Sequence, residues 1–421
     1  MGMMLKHVSA LVKPDRVNVR ILGSTVLAIM PVLANYYVLL VLPFIPDDGK
    51  GRIENNMFWP TVAGITLALV LYNRLRFDTG FISSLPIKSL FAYLVFAAAS
   101  IGWAYSPDYA FSRLVVNTLA IIIVILPYAL PIRTTRTIQS LHACYAIALA
   151  VNVVYVLTYP PSPIGHAGYF THKQTLGMFC ATAVILSAHE LLFRGWRCVL
   201  AVVGICVAVW LLFESESKSA LIFSFFAMAL AGFVLLACKI MRATPAHIFA
   251  AIAVGSLFFS DPVGRIGYRL YGDATISGRT PLWAFIEYQI STKPWFGWGF
   301  HSYYSVPNSP QEAAWGPDYI KHAPSSHSGY LDLKLETGKI GYWIFLIFLY
   351  SSLHGLELVR RKDPRRAWLY LSVTTYAILV NFLDTAWLGL NQLWMLQLVV
   401  VAETVHYSRS SNSGSTLASR P

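Results

Sequence analysis

Apolar runs long enough to cross a hydrocarbon layer of about 30 Å recur from one end of this chain to the other. They fall near 21–42, 57–73, 86–104, 112–131, 139–158, 175–193, 197–213, 219–238, 245–259, 338–356, 367–383 and 387–406, about twelve in all. In lipid, every backbone N–H and C=O must find its partner inside the protein, so such runs are α-helices. Composition agrees: 56% of residues are hydrophobic, only 12% are charged, and the mean hydropathy is +0.56, outside the range of a soluble domain. The expected fold is an all-α polytopic membrane protein with about twelve transmembrane helices. Nine of them lie within residues 1–259, a long outer connection covers 260–337, and three more occupy 338–406. Residues 1–20 read as a basic lead-in rather than a cleaved signal, and the Ser-rich stretch 407–421 reads as a disordered tail.

Lysine and arginine give the orientation. With a cytoplasmic N-terminus, 20 of the 32 basic residues fall in inner segments, among them Arg74, Arg76, Arg194, Arg197, Arg360 and Arg366. Every inner loop then obeys the positive-inside rule, and both termini are expected in the cytoplasm. The net charge of +12 is mostly topology and does not point to nucleic acid. All five cysteines lie within apolar runs, where they serve as small apolar filler rather than a disulfide framework or metal site.

Polar residues concentrate where outward-facing helices begin. In THKQ, Thr171 is the expected N-cap and Gln174 its capping-box partner, with His172 and Lys173 between them. SESKSAL sets Lys218 at the start of the next inward helix, SGRTPLW sets Arg279 before Thr280-Pro281, and SSHSGYL sets His327 behind Ser326. A cation at a helix N-terminus opposes the macrodipole by about 0.3–1 kcal/mol. Four such positions on one face suggest a bound polyanion, toward which helix ends and cations pull together. The long connection is rich in aromatic residues, as in PWFGWGFHSYY (294–304), suited to lying on the bilayer or to forming a platform for sugar rings.

The stretch SHSGYLDLKLETGKIG, a His-Ser followed nine residues later by Gly-x-x-Gly, resembles the signature of the O-antigen ligase/polymerase superfamily. THKQTLG, SKSAL, GRTPLW and PWFGWGF resemble further parts of that family's pattern, over roughly residues 165–345. The family more often has arginine at the position of Lys218 and asparagine at that of Gln174, and lysine lacks the bidentate fork of arginine. The resemblance implies a glycosyltransferase of the GT-C class with an outer-face active site. It implies a polyprenyl-diphosphate-linked glycan as donor and no metal or other cofactor.

The expected chemistry follows. Lys218 and Arg279 bind and stabilise the diphosphate, with Lys173 and His172 beside them and Arg265 and Arg269 as further candidates. His327 is the candidate base for the acceptor hydroxyl, with a role as diphosphate ligand left open. Gly338 and Gly341, three apart, are expected to share a helix face that another helix approaches. Asp332, Lys334 and Glu336 just before them suit a water-facing cavity. Asp47-Asp48 is the only acidic pair that suggests a metal, and no second ligand set accompanies it. The leading expectation is an O-antigen ligase that moves O-antigen from undecaprenyl diphosphate to lipid A-core at the periplasmic face of a Gram-negative inner membrane. A polymerase or a protein O-oligosaccharyltransferase would differ only in acceptor. A transporter is disfavoured because the apolar runs hold almost no ionisable residues.

Overall fold

The computed structural model describes residues 16–45, 57–130, 132, 136–163, 165–255, 279–314 and 317–417. The long helices, in chain order, are α1 (Arg16–Leu40), α2 (Phe58–Tyr72), α3 (Leu85–Ser100), α4 (Pro107–Ile125), α5 (Thr137–Thr158), α6 (Lys173–Glu190) and α7 (Trp196–Glu214). They continue with α8 (Lys218–Met241), α9 (Pro245–Gly255), α10 (Thr280–Thr292), α11 (Gly329–Lys362), α12 (Pro364–Leu383) and α13 (Gln392–Leu417). Every apolar run coincides with one of these, and α10 is an extra helix inside the long connection. Among the described residues there is no strand.

Among the described residues seven helices, α1, α3, α4, α5, α7, α8 and α11, are long and apolar enough to cross a membrane. Of the remaining expected spans, α2 and α9 are shorter. The other three, α6, α12 and α13, have the length but more polar sequences, and burial accounts for it. From Leu176 to Glu190 every residue of α6 except Ala188 is buried. Protein rather than lipid surrounds these helices, so they need no apolar outer face. The outer helices do present one: Phe91, Ile222, Phe226 and Phe233 are all exposed. The tail expected to be disordered is helical as far as Leu417. Propagation of an established helix gains one hydrogen bond per residue, and no proline interrupts it before Pro421.

The long connection has a core of its own, in which Leu282, Phe285 and Ile286 of α10 meet Tyr303, Tyr304, Ile320 and Leu335. Its aromatic stretch is divided between two environments. Trp295 and Phe296 are exposed, whereas Phe300 and Tyr303 are fully buried. Arg113 of α4 clamps the following turn, donating to the carbonyls of His301, Tyr304 and Ser305 at 2.8, 2.9 and 3.2 Å.

The connection joins the bundle at a break in α11. Gly338 has φ +63° and interrupts the helix, so Leu335 and Glu336 carbonyls lose their partners four residues on. The segment 294–299 replaces them: Trp298 N–H donates to Leu335 O at 2.8 Å and Gly299 N–H to Glu336 O at 2.9 Å. In return, Lys339 N–H reaches Pro294 O at 2.9 Å and Ile340 N–H reaches Trp295 O at 3.3 Å. The expected shared face of Gly338 and Gly341 is thereby broken. Gly338 admits a loop backbone rather than a helix, since a Cβ there would overlap the Trp295 carbonyl. Gly297 faces it with φ +70° and meets the Glu336 carbonyl. Gly341 alone keeps the expected role, with Phe96 of α3 against it.

Gly338→Ala combines a left-handed φ with a backbone overlap and is expected to cost about 1–3 kcal/mol, seen as a lower Tm in detergent. Gly64→Ala in α2, where nothing lies within 4 Å of the new methyl, is expected to leave Tm unchanged or slightly higher.

Candidate active site

Four chain segments that carry the sequence candidates end at one side of the bundle. His172, rather than Thr171, caps α6: its backbone is extended, and its Nδ1 accepts the Gln174 N–H at 3.2 Å. Lys173 is the first residue of the helix. Lys218 likewise opens α8 behind Ser217, and its side chain is exposed. Arg279, not Thr280, occupies the cap position of α10. His327 lies two residues before α11, at φ +52°, with Ser328 at the cap.

Three of these segments meet around the carboxylate of Asp384, at the end of α12. His327 Nδ1 lies 3.6 Å from Asp384 Oδ1, beyond hydrogen-bond distance, and has no hydrogen-bond partner among the described residues. Arg279 donates through Nη1 to the neighbouring Leu383 carbonyl. Burial lowers the Arg279 pKa and Asp384 opposes that shift, so the guanidinium stays charged. His172 feels the whole group. Its pKa is lowered first by burial and then by His327, Lys173 and Arg279, with Asp384 again opposing. The imidazole is therefore neutral at pH 7 and keeps the lone pair that caps α6. Because the folded value lies below the unfolded one, this contribution is complete at neutral pH and fades on acidification below the ordinary histidine value of about 6.5. Lys218 joins through its neighbours: Ser217 and Ser219 line a small cleft together with Gln174 and Asp384.

The strained turn at His327 is held from all sides. His327 N–H donates to Ser325 Oγ at 3.2 Å, and Ser328 N–H donates to Ser326 Oγ at 3.1 Å. Trp283 of the GRTPLW motif donates its indole N–H to the Ser326 carbonyl at 2.9 Å. The Gly329 N–H reaches the Asp384 carbonyl at 3.0 Å, and only a glycine fits there against Asn381. Beneath the turn lies the buried carboxylate of Asp332. Its Oδ1 accepts from Ser326 N–H and Tyr304 O–H, both at 3.0 Å, and its Oδ2 accepts from Thr385 O–H at 2.5 Å. One carboxylate thus ties the residue before His327 to the residue after Asp384 and to the outer loop.

A profile of the O-antigen ligase family matches residues 183–346. This part of the chain, which carries Lys218, Arg279 and His327, is similar to the O-antigen ligase family. Relatives outside that match are distant. A Rhizobium meliloti (strain 1021) protein named exopolysaccharide production protein ExoQ is 24% identical over 329 residues, which is 73% of this chain and 74% of its own. A Rickettsia felis protein provisionally named a polysaccharide ligase is 24% identical over 201 residues, 45% of this chain and 47% of its own. A similarly named Rickettsia typhi protein is 24% identical over 221 residues, 50% and 53% of the two chains. Lys218, Arg279, His327, Gly338 and Gly341 lie inside the O-antigen ligase match, whereas His172, Lys173 and Asp384 lie outside it.

The structure thus brings His172, Lys173, Arg279 and His327 together and sets Lys218 at the rim. Arg265, Arg269, Asp47 and Asp48 fall outside the described residues. Among the described residues no three His, Cys, Asp or Glu side chains gather as a metal site. Asp384 had a faint signal in the sequence, a lone carboxylate closing the apolar run before TAW. His301 is partly enclosed: Nε2 meets the Leu388 carbonyl of a loop at 3.1 Å, and Nδ1 lies 3.4 Å from Glu336.

Asp332→Ala would leave the Ser326, Tyr304 and Thr385 donors without their partner, at about 1–3 kcal/mol for each that stays buried. A Tm drop of several degrees with loss of most activity is expected, and Thr385→Val, which removes one of the three bonds, is expected to show a smaller change in both.

Proposed function

We propose that this chain is a membrane glycosyltransferase that transfers a glycan from undecaprenyl diphosphate to a sugar hydroxyl of lipid A-core. The observation that carries the reading is the convergence of His172, Arg279 and His327 on a single carboxylate, Asp384, with Lys173 beside His172. The positive charge of Lys173 and Arg279, with Lys218 at the rim, suits a dianionic leaving group, and the apolar bundle beside it suits a polyprenyl tail. The basic residues near the opposite end of the bundle, including Arg194, Arg197, Arg360 and Arg366, support a cytoplasmic assignment for that end and a periplasmic one for the site. The relatives named as polysaccharide ligases support the same class of reaction.

In the proposed step the acceptor oxygen attacks the anomeric carbon from the face opposite the diphosphate, so the configuration inverts. The bond from that carbon to the phosphate oxygen breaks, and its electron pair stays on the diphosphate, where Arg279 and Lys218 stabilise it. His327 takes the hydroxyl proton, with Asp384 near Nδ1 to orient the ring and stabilise the imidazolium. The resemblance to an exopolysaccharide production protein over three quarters of the chain favours one second reading, in which the acceptor is another lipid-linked glycan.

Purified protein supplied with the lipid-linked donor and either acceptor is expected to form the joined product. Failure with both acceptors contradicts the reading. His327→Ala is expected to keep donor binding while transfer falls about 10²–10⁴-fold, as when a general base is lost. Arg279→Ala is expected to lose donor affinity, and Lys218→Arg to remain active. If His327→Ala weakens donor binding and keeps the maximal rate, the imidazole is a diphosphate ligand instead. Because cations rather than an acidic cluster face the proposed diphosphate, activity in EDTA is expected to equal that in added magnesium. Loss on chelation, restored by metal, would contradict this.

A further inference from the structure

A cavity of about 620 Å³ opens beside the cation cluster and is not used by the step proposed above. Its volume is typical of small-ligand sites, about 300–1,000 Å³. The wall it shares with the cluster is built from immediate neighbours of the site: Thr171 precedes His172, Ser325 lies two before His327, and Thr385 follows Asp384. A molecule in this cavity therefore touches Ser325, in the turn that carries His327.

The polar groups inside differ in kind from those of the cluster. Two of the lining residues are basic in type, Arg113 and His301. Arg113 is committed to three loop carbonyls. Burial pushes the His301 pKa down to about 4, with the Leu388 carbonyl opposing and Arg113 adding to the shift, so this ring is neutral at pH 7. Its contact with the Leu388 carbonyl places the proton on Nε2 and leaves Nδ1 as an acceptor, 3.4 Å from the Glu336 carboxyl. Glu336 is itself buried and lines the cavity; burial, and after it Asp332, push its pKa up to about 8, so at pH 7 it is largely a neutral carboxyl that faces the His301 Nδ1. Asn117, 5% exposed, also lines it, and its Oδ1 has no hydrogen-bond partner among the described residues. The unpaired Asn117 oxygen calls for a ligand that donates a hydrogen bond, and a neutral Glu336 carboxyl suits the same hydroxyl-bearing ligand. An anion would meet no uncommitted cation among the described lining residues. Leu42, Phe170 and Leu390 supply an apolar side against which the C–H face of a sugar ring can pack.

We propose that this cavity is the acceptor subsite, in which Glu336 and Asn117 hydrogen-bond with the hydroxyls of the glycan that receives the transferred chain. The assignment rests on the glycosyl-transfer reading above and adds to it where the acceptor sits and what recognises it. It separates the two substrates by charge: the diphosphate belongs to the cationic cluster and the uncharged hydroxyls to the cavity.

The test is steady-state transfer by purified full-length protein in nanodiscs, with undecaprenyl-diphosphate glycan as donor and lipid A-core, or a second lipid-linked glycan if that is what accepts, as the varied acceptor. Glu336→Gln keeps the shape of the side chain, and Asn117→Leu keeps a helix-compatible residue of similar size. Each is expected to raise the acceptor concentration at half-maximal rate about tenfold, the effect of one lost hydrogen bond to a buried polar group. The donor concentration at half-maximal rate is expected to stay the same. An unchanged acceptor requirement in both variants, or an equal rise for donor and acceptor, overturns the subsite while leaving the transfer reaction standing. If wild-type protein transfers to neither acceptor, the reaction is overturned and the subsite falls with it. Should Glu336→Gln fail to fold, Asn117→Leu alone decides, because its substitution leaves the Glu336–His301 pair in place.

Discussion

At Gly338 a helix gives up two of its own backbone hydrogen bonds, and the segment 294–299 supplies both missing partners while binding the two freed N–H groups. Loop and helix therefore cannot separate without leaving four backbone groups unpaired, at about 1–3 kcal/mol for each that stays buried. The break also turns residues 329–337 into a piece of helix that belongs to the outer face rather than to the span. That piece carries Asp332 and Glu336, with the His327 turn just ahead of it. Arg113 then fixes the turn at 301–305 from the other side. The side chains of the site are placed by backbone that has few ways to move.

On that frame the charges divide. Around Asp384 the chain collects His172, Lys173 and Arg279, cations and imidazoles at helix starts that resist one another and the helix dipole. Asp332, Glu336 and Asn117 all line the cavity, and of these Asp332 is saturated by three donors. Glycosyl transfer from a diphosphate needs both conditions within a few ångströms: positive charge where the leaving group develops its charge, and neutral hydrogen-bond acceptors where a hydroxyl must be aimed. His327 stands at the boundary between the two. Its left-handed backbone is the kind of strain that persists only when surrounding contacts determine it, here the serine turn, Trp283 and Asp332.

Much of this was readable from residue order alone because it is local. The apolar runs mark their helices, and the motif fragments THKQ, SKSAL, GRTPLW and SHSG each announce a helix start. What could not be read depends on contacts between distant segments. Asp384 lies 57 residues beyond His327 in the chain, and only the packing of α12 against α11 brings them within 3.6 Å. The Gly-x-x-Gly spacing suits a helix face equally well, and it is the facing Gly297 that turns Gly338 into a break. His172 displaced Thr171 as the cap because its ring, on an extended backbone, reaches the same N–H that a hydroxyl would have taken. His301 and Glu336 look unrelated in the sequence, and the Arg113 clamp is what brings their side chains together.

The central claim, that helix-start cations around Asp384 form the diphosphate site, is tested most directly by the structure of the protein bound to a non-hydrolysable undecaprenyl diphosphate analogue. The account predicts both phosphorus atoms within hydrogen-bonding reach of Arg279 and Lys218, with His327 beside the anomeric position and the large cavity free of phosphate. Diphosphate density inside the cavity with Arg113, or away from Arg279 altogether, would contradict it.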